Sequence, residues 1–223
     1  MIKVLSGFPP QNPIFDEMFR GRAVVFRDRL KWLVTVQSGR EIDEYDRSGK
    51  PVYLVALDID DHVVGSLRAL PTTGPTMLKS EFGAMFQDDV DIDCATTWEC
   101  TRFCVHPAIS NTHLEAKGVA LELLAGLCDF ALWVGIQKIF GVYDASMERV
   151  YRRLGWSPTQ LSKSWPQFGN INCGIWEVSD TISSVLRGRL ADIEKPPSFD
   201  RNGSRPPRLS TGQQASCAFY DRF

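Results

Sequence analysis

Apolar residues near the start of the chain recur at spacings of three and four. Ile14, Phe15, Met18, Val25, Phe26, Leu30 and Leu33 share one face, which predicts an amphipathic helix over 13–33. Arg22 falls on that same face, one turn from Met18 and one turn from Phe26. A charge on the buried side of a helix is costly unless it meets a counter-charge; otherwise it must snorkel to water. Residues 38–51 carry no apolar rhythm, and Gly39 with Ser48-Gly49-Lys50-Pro51 predicts a loop rather than a helix. Runs at 52–59 (VYLVALDI) and 62–70 (HVVGSLRAL) predict a β-hairpin turning at Asp60-Asp61. PTTGP at 71–75 breaks the chain, 76–86 is weakly helical, and 97–105 (TWECTRFCV) predicts a strand ended by Pro107.

The clearest periodicity lies in 113–136. Ala120, Leu123, Leu124, Leu127, Phe130, Ala131 and Val134 keep a three-four rhythm, so this helix is expected to pack on a sheet. A strand at 138–143, a helix at 145–154 capped by Gly155, a strand near 173–178 and a helix from Asp180 to Arg189 follow. After Ala191 the composition shifts to Pro, Ser, Gly and Arg. The chain thus divides into one domain, 1–191, and a tail, 192–223, in which Phe219, Tyr220 and Phe223 could serve as anchors. The element order implies a single α/β domain, with helices flanking a twisted mixed sheet and a cleft where neighbouring strands part.

Composition removes several function classes. A formal net charge of -2 gives no general affinity for nucleic acid. The opening residues, MIKVLSGFPP, hold no long apolar run, so no signal peptide is expected. No stretch approaches the roughly 20 apolar residues of a membrane span. The cysteines, at 94, 100, 104, 128, 173 and 217, form no Cys-x-x-Cys pair, which suits reduced thiols in a cytoplasm. His62, His106 and His113 lack zinc spacing, so no metal is expected.

The candidate chemistry is charged and aromatic. In a regular strand Glu99 and Arg102 would face opposite sides. Both can line one site only if an irregularity such as a β-bulge lies between them; otherwise Glu99 faces solvent and Arg102 pairs elsewhere, the reading that the strand alone favours. Glu41, Asp43, Glu44 and Asp46 form an acidic loop. It is either solvated or a receptor for a cationic group, since the spacing of a calcium loop is absent. Trp32 is a core residue or a face for a purine or cation. Arg68 shares the parity of Val64, Ser66 and Leu70; if those face the core, it needs carboxylates, with Glu99 and Asp43 as candidates. On 145–154, Arg149, Arg152 and Arg153 occupy one face. They form either a solvated face or a docking patch for an acidic carrier protein or a phosphate-bearing cofactor.

Four blocks carry a resemblance: FRGRAVVFRDRLKW (19–32), EIDEYD (41–46), GSLRALPTTGPTML (65–78) and WECTRFCV (98–105). With Arg22, Phe26, Trp32, Asp43, Asp46, Arg68, Glu99 and Arg102 at their places, residues 15–156 resemble the acyl-homoserine-lactone synthases, which make autoinducers for bacterial quorum sensing. The resemblance implies an N-acetyltransferase-like three-layer sandwich whose splayed central sheet admits an acyl pantetheine. It implies S-adenosylmethionine as amine donor and an acyl thioester, on acyl carrier protein or coenzyme A, as acyl donor. No tightly bound cofactor is implied. The acylated intermediate then closes to a lactone and expels 5′-methylthioadenosine.

Residue by residue, the resemblance places S-adenosylmethionine against Arg22, Phe26, Trp32, Asp43, Asp46, Arg102 and Phe103. The catalytic set is Glu99, Asp43, Arg68 and Arg102, with Glu99 as candidate base, Asp43 as runner-up, and backbone N–H groups near 103–105 as oxyanion donors. The acyl pocket and thioester site draw on Trp98, Phe103, Cys104, Val105, Trp133, Gly141 and Tyr143, and carrier docking on Arg149, Arg152 and Arg153. In this family a threonine at the position of Gly141 accompanies 3-oxo chains, so the glycine implies a chain without a 3-oxo group. Two rivals stand beside this reading. An N-acetyltransferase acting on another amine would cradle a pyrophosphate on a glycine-rich turn, and HLEAKGVALELL (113–124) matches that only in part. A sensor would bind the same ligands without turnover.

Overall fold

The computed structural model describes residues 1–7, 12–48, 51–106 and 113–194. The aromatic anchors expected in the tail lie outside the described residues. A seven-stranded sheet carries the molecule. Its strands are β1 (Ile2–Ser6), β4 (Val52–Leu57), β5 (Val63–Pro71), β6 (Thr97–Val105), β7 (Lys138–Asp144), β9 (Ile171–Glu177) and β8 (Thr159–Lys163), in that spatial order. Only β6 and β7 are parallel. They are joined through α3 (His113–Val134), as a parallel pair requires a crossover. β2 (Val36–Gln37) and β3 (Arg40–Glu41) make a separate small ribbon.

Side-chain alternation along β4 divides the core into two layers. Leu54 and Ala56 pack with Leu121, Leu123, Leu124, Leu127 and Ala131 of α3 and with Leu186 of α5 (Asp180–Glu194). Tyr53, Val55 and Leu57 face the other way, against Phe15, Met18 and Phe19 of α1 (Pro13–Arg22). Helices on both faces of a mixed sheet give the expected three-layer α/β sandwich. The apolar stripe of α1 places Arg22 on its inner side, where it is 1% exposed.

The structure departs from the sequence reading in identifiable places. The helix expected over 13–33 is α1 followed by a π-helical stretch, Ala23–Arg29. It stops because Lys31 takes a left-handed φ of 57° and the Trp32 N–H turns back to the Phe26 carbonyl, 2.8 Å away. The loop expected at 38–51 contains β3 and a single helical turn, α2 (Glu44–Arg47). Asp43 and Asp46 cap that turn reciprocally, each carboxylate accepting the other's backbone N–H. β1 and β8 were not expected from the pattern. Both are edge strands, and Thr159, Gln160 and Leu161 of β8 are exposed, so no alternation marks them. α5 runs on through Glu194, so the compositional shift after Ala191 falls inside a helix.

One contact fixes α1 against the sheet. A Cβ on Gly21 would lie 2.1 Å from the His106 ring. That imidazole is buried, its Nδ1 bonds the Val63 carbonyl at 3.1 Å, and burial lowers its pKa to about 4, so it stays neutral. Gly21→Ala is expected to destabilise by about 1–3 kcal/mol through overpacking, outweighing the roughly 1 kcal/mol that alanine adds to a helix. A melting temperature at or above wild type would show that the ring swings aside freely.

Candidate active site

Three guanidiniums and three carboxylates from distant segments meet beneath the sheet. Arg22 takes Asp46 in a two-pronged fork, Nη1 to Oδ1 and Nη2 to Oδ2, both 3.0 Å, and donates from Nε to Glu41 Oε2 at 2.6 Å. Arg68 donates to Asp43, to Asp46 Oδ1 at 2.8 Å, and to Thr101 Oγ1 at 3.0 Å. Arg102 donates from Nε and Nη2 to Glu41 Oε1, at 3.2 and 3.1 Å, and from Nη2 to Asp43 Oδ2 at 3.1 Å. The Tyr53 hydroxyl completes the shell with a 2.8 Å bond to Asp46 Oδ1. Arg22 therefore does not snorkel, and Arg68 finds Asp43 and Asp46 rather than Glu99.

The charges respond to this burial. Desolvation pushes Asp46 up, but Arg22 and Arg68 outweigh it and hold the carboxyl well below the usual carboxylate range. Burial works against the charge on Arg22, and Asp46 and Glu41 more than reverse that, so its pKa rises. The Tyr53 phenol is raised by desolvation and by Asp46. Arg22, Arg68 and Asp46 are therefore paired and ionised, as buried charges must be.

The irregularity that would let Glu99 and Arg102 share one site lies at Arg102. Ser66 pairs with Cys104 and Arg68 with Thr101, so Arg102 and Phe103 together oppose one residue of β5. Arg102 itself adopts φ 53°, a left-handed conformation that costs a non-glycine residue about 1–2 kcal/mol. The bulge turns Arg102 onto the side of Glu99. It also re-aims β6, whose pairing with β7 ends at Glu99 and Phe140, so the two strands part beyond that point.

Glu99 is 1% exposed and forms no ion pair among the described residues. Its oxygens instead accept the backbone N–H groups of Met77 and Leu78, each at 2.8 Å. Desolvation raises its pKa, opposed by those two N–H bonds and by Arg68 and Arg102. A buried carboxylate with a raised pKa is suited to take up a proton. Each oxygen retains a second lone pair for a substrate or a water.

Phe26 and Trp32 stack with ring centroids 5.0 Å apart, and the Arg102 guanidinium lies 5.4 Å from the Phe26 centroid. Trp32 is 50% exposed, so an aromatic face remains open beside the charges. On the opposite side of β6, Trp98 and Phe103 join Tyr143 and Trp176 in one apolar cluster, and Trp176 stands 3.2 Å from where a Cβ on Gly141 would be. Two candidates do not belong there. Cys104 turns to the other face and packs with Val25 and Phe26. Trp133 is 82% exposed, because it lies two residues past Ala131 on α3 and off the helix's buried stripe. Val105 is buried at the end of β6.

Arg149, Arg152 and Arg153 are all exposed on α4 (Met147–Leu154), which ends at Gly155 with φ 92°. The turn that would cradle a pyrophosphate includes residues 107–112, outside the described residues. Sequence reasoning missed Tyr53, Met77, Thr101 and Trp176, and named Glu41 only as one acid of the loop. For Glu41 a signal existed, since it opens the EIDEYD block.

Known proteins are similar to this chain in sequence and fold. Residues 10–172 match the autoinducer synthase family. The chain is 52% identical over 179 residues to an acyl-homoserine-lactone synthase of Rhizobium etli, covering 80% of this chain and 84% of the relative. Among solved structures, TofI in a ternary complex with an inhibitor and MTA is 26% identical, with TM-score 0.70 over 84% of this chain and 96% of TofI. A CoA-dependent acyl-homoserine lactone synthase, BjaI, with SAM and isopentyl-CoA, shares the fold at 24% identity and TM-score 0.75, over 94% and 95% of the two chains. An N-acetyltransferase of Lactobacillus plantarum shares it more distantly, at 15% identity and TM-score 0.51, over 80% of this chain and 99% of that one.

Proposed function

Because the chain belongs to the autoinducer synthase family, we propose that it acylates the amine of S-adenosylmethionine from an acyl thioester and then closes the lactone with loss of 5′-methylthioadenosine. The chain is an acyltransferase, an acyl-homoserine-lactone synthase by family. The observation that carries the mechanism is the balanced charge network and the place where it opens. The side chains of Arg22, Arg68 and Asp46 are 1%, 0% and 0% exposed, whereas Asp43 is 17% and Arg102 9%. The reachable edge therefore offers one acid, one guanidinium and the Phe26–Trp32 stack. S-adenosylmethionine carries an ammonium, a sulfonium, a carboxylate and a purine, and that edge answers each. Asp43 faces the positive groups, Arg102 the carboxylate, and the aromatic stack the purine or sulfonium.

The steps follow from these positions. Glu99, directly or through a water, removes the proton from the ammonium, since an ammonium has no lone pair to attack with. The freed amine attacks the thioester carbonyl carbon. Backbone N–H groups at 103–105, beyond the point where β6 leaves β7, receive the oxyanion, and the thiolate departs and is protonated. The carboxylate oxygen then attacks the γ-carbon, the carbon–sulfur bond breaks, and neutral methylthioadenosine leaves. Positioning suffices for this second step, because the sulfonium is already a good leaving group. Glycine at 141, beneath the apolar edge of Trp176, offers no hydroxyl to a 3-oxo group, which supports an acyl chain without one. The acyl donor is a carrier-protein or coenzyme A thioester, and Cys94, Cys100, Cys104, Cys128 and Cys173, all unbridged, suit a cytoplasmic setting.

The test is incubation with S-adenosylmethionine and a panel of both donor types, with lactones identified by mass spectrometry. Methylthioadenosine and a lactone whose acyl chain lacks a 3-oxo group are expected. A predominant 3-oxo product would overturn the reading of Gly141, and acylation of another amine without methylthioadenosine would favour the N-acetyltransferase. Charge reversal of Arg149, Arg152 and Arg153 to Glu is expected to raise the KM for a carrier-protein donor about tenfold or more, since like charges oppose docking. An unchanged KM rejects that docking surface.

A further inference from the structure

Two guanidinium nitrogens in the network end on a sulfur atom rather than an oxygen. Arg68 Nη2 and Arg102 Nη1 each donate to Met77 Sδ, both at 3.3 Å, and no carboxylate accepts from either among the described residues. The other hydrogen-bonding nitrogens of these two arginines reach Glu41, Asp43, Asp46 or Thr101. A thioether is a weak acceptor, so two charged donors converging on one is unexpected in a site otherwise served by oxygens. Met77 is 6% exposed and packs with Tyr45, Leu70 and Phe82. Its backbone N–H is held by Glu99 Oε2. Glu99, which makes no ion pair with either arginine, is therefore joined to both through this one residue.

We propose that Met77 is a positioning residue for the amine substrate. Its sulfur ties Arg102 Nη1, on the reachable edge, to Nη2 of the fully buried Arg68, and Glu99 sets the position of the sulfur through the Met77 backbone. A soft acceptor keeps the two N–H groups aligned without neutralising them as a carboxylate would. Arg102, the guanidinium on the open edge, stays competent to bind the substrate's carboxylate. The inference rests on the reading that S-adenosylmethionine binds at this edge.

The role of the sulfur as acceptor is separable from its role as filler. Leucine fills similar apolar space and accepts nothing. Glutamine has similar length and carries a carbonyl oxygen. S-adenosylmethionine is titrated calorimetrically into wild type, Met77→Leu and Met77→Gln, with melting temperatures and methylthioadenosine release measured in parallel. Expected are a Kd about tenfold weaker for Met77→Leu, a Kd within about threefold of wild type for Met77→Gln, and a KM effect larger than the kcat effect in Met77→Leu. Pure packing predicts the reverse order, with leucine tolerated and the buried amide harmful. Met77→Leu binding as tightly as wild type, or Met77→Gln binding more weakly than Met77→Leu, would overturn the proposal, and the binding comparison is read on whichever variants melt cooperatively above the assay temperature. If neither variant folds, the sulfur's role is structural and the proposal falls. Wild type that binds S-adenosylmethionine without releasing methylthioadenosine would defeat the proposed reaction while leaving the Met77 ordering to stand on its Kd values. Wild type that does not bind it would remove both.

Discussion

Arg22→Ala is expected to abolish activity and to lower stability by about 3–5 kcal/mol, the cost of breaking a buried ion pair by removing one partner. Three of its nitrogens bond Asp46 and Glu41, and all three side chains are 1% exposed or less. Alanine would leave Asp46 with Arg68 and Tyr53, and Glu41 with Arg102, so that three carboxylates face two guanidiniums. Asp46 is held far below the usual carboxylate range by Arg22 and Arg68 together against its desolvation, so losing Arg22 raises its pKa and weakens the Asp43–Asp46 cap of α2. Asp43 and Arg102, the exposed edge of the site, would then lose their anchor. For a domain of this size the penalty corresponds to a melting temperature lower by on the order of 10 °C. Arg22→Lys should recover only part of the loss, because a point charge cannot reproduce the fork to Asp46. Thermal unfolding followed by circular dichroism, with methylthioadenosine release as the activity readout, checks both halves. A variant melting within 2 °C of wild type would mean that water already reaches this network.

Much of this site could be read from periodicity, and what could not has specific causes. Arg22 stood out because it broke the apolar face of a helix, and Arg68 because it shared the parity of core positions in its strand; both are buried with acids as that argument requires. Glu99 and Arg102 could share a site only through a bulge, and the bulge is at Arg102. Local pattern failed where the cause lay far along the chain. Glu41 looked like one acid in a solvated loop because its partners, Arg22 and Arg102, lie 19 and 61 residues away. The helical turn α2 was hidden for the same reason, since its acids serve a cap and a salt bridge at once. Met77 carried no signal at all, as a methionine in a weakly helical segment is ordinarily core. Trp133 misled because an aromatic on a strongly apolar helix is easily assigned to the interior. The helical period shows its angle was wrong, and the burial of Ala131 beside it fixes the face.

The second large effect is expected at Glu99, where a conservative change separates two roles. Glu99→Gln preserves size but removes the negative charge, and one of its two backbone contacts becomes an amide N–H facing the N–H of Met77 or Leu78. A buried donor left unpaired costs about 1–3 kcal/mol, so the variant should fold with a modestly lower melting temperature. If Glu99 is the base, kcat should fall by about 10²–10⁴. The pH profile adds the sign. The base works only when deprotonated, so kcat/KM must rise with pH through its pKa. Desolvation, only partly offset by the Met77 and Leu78 N–H bonds, places that pKa above the ordinary glutamate value. The acidic limb of the wild-type profile should therefore lie at higher pH than a solvated glutamate would give, and it should vanish in Glu99→Gln. A purely positioning Glu99 predicts otherwise, with the limb retained and the defect in KM for S-adenosylmethionine. Wild-type kcat with an unchanged acidic limb in a folded Glu99→Gln protein would pass the base role to Asp43, the acid on the open edge of the network.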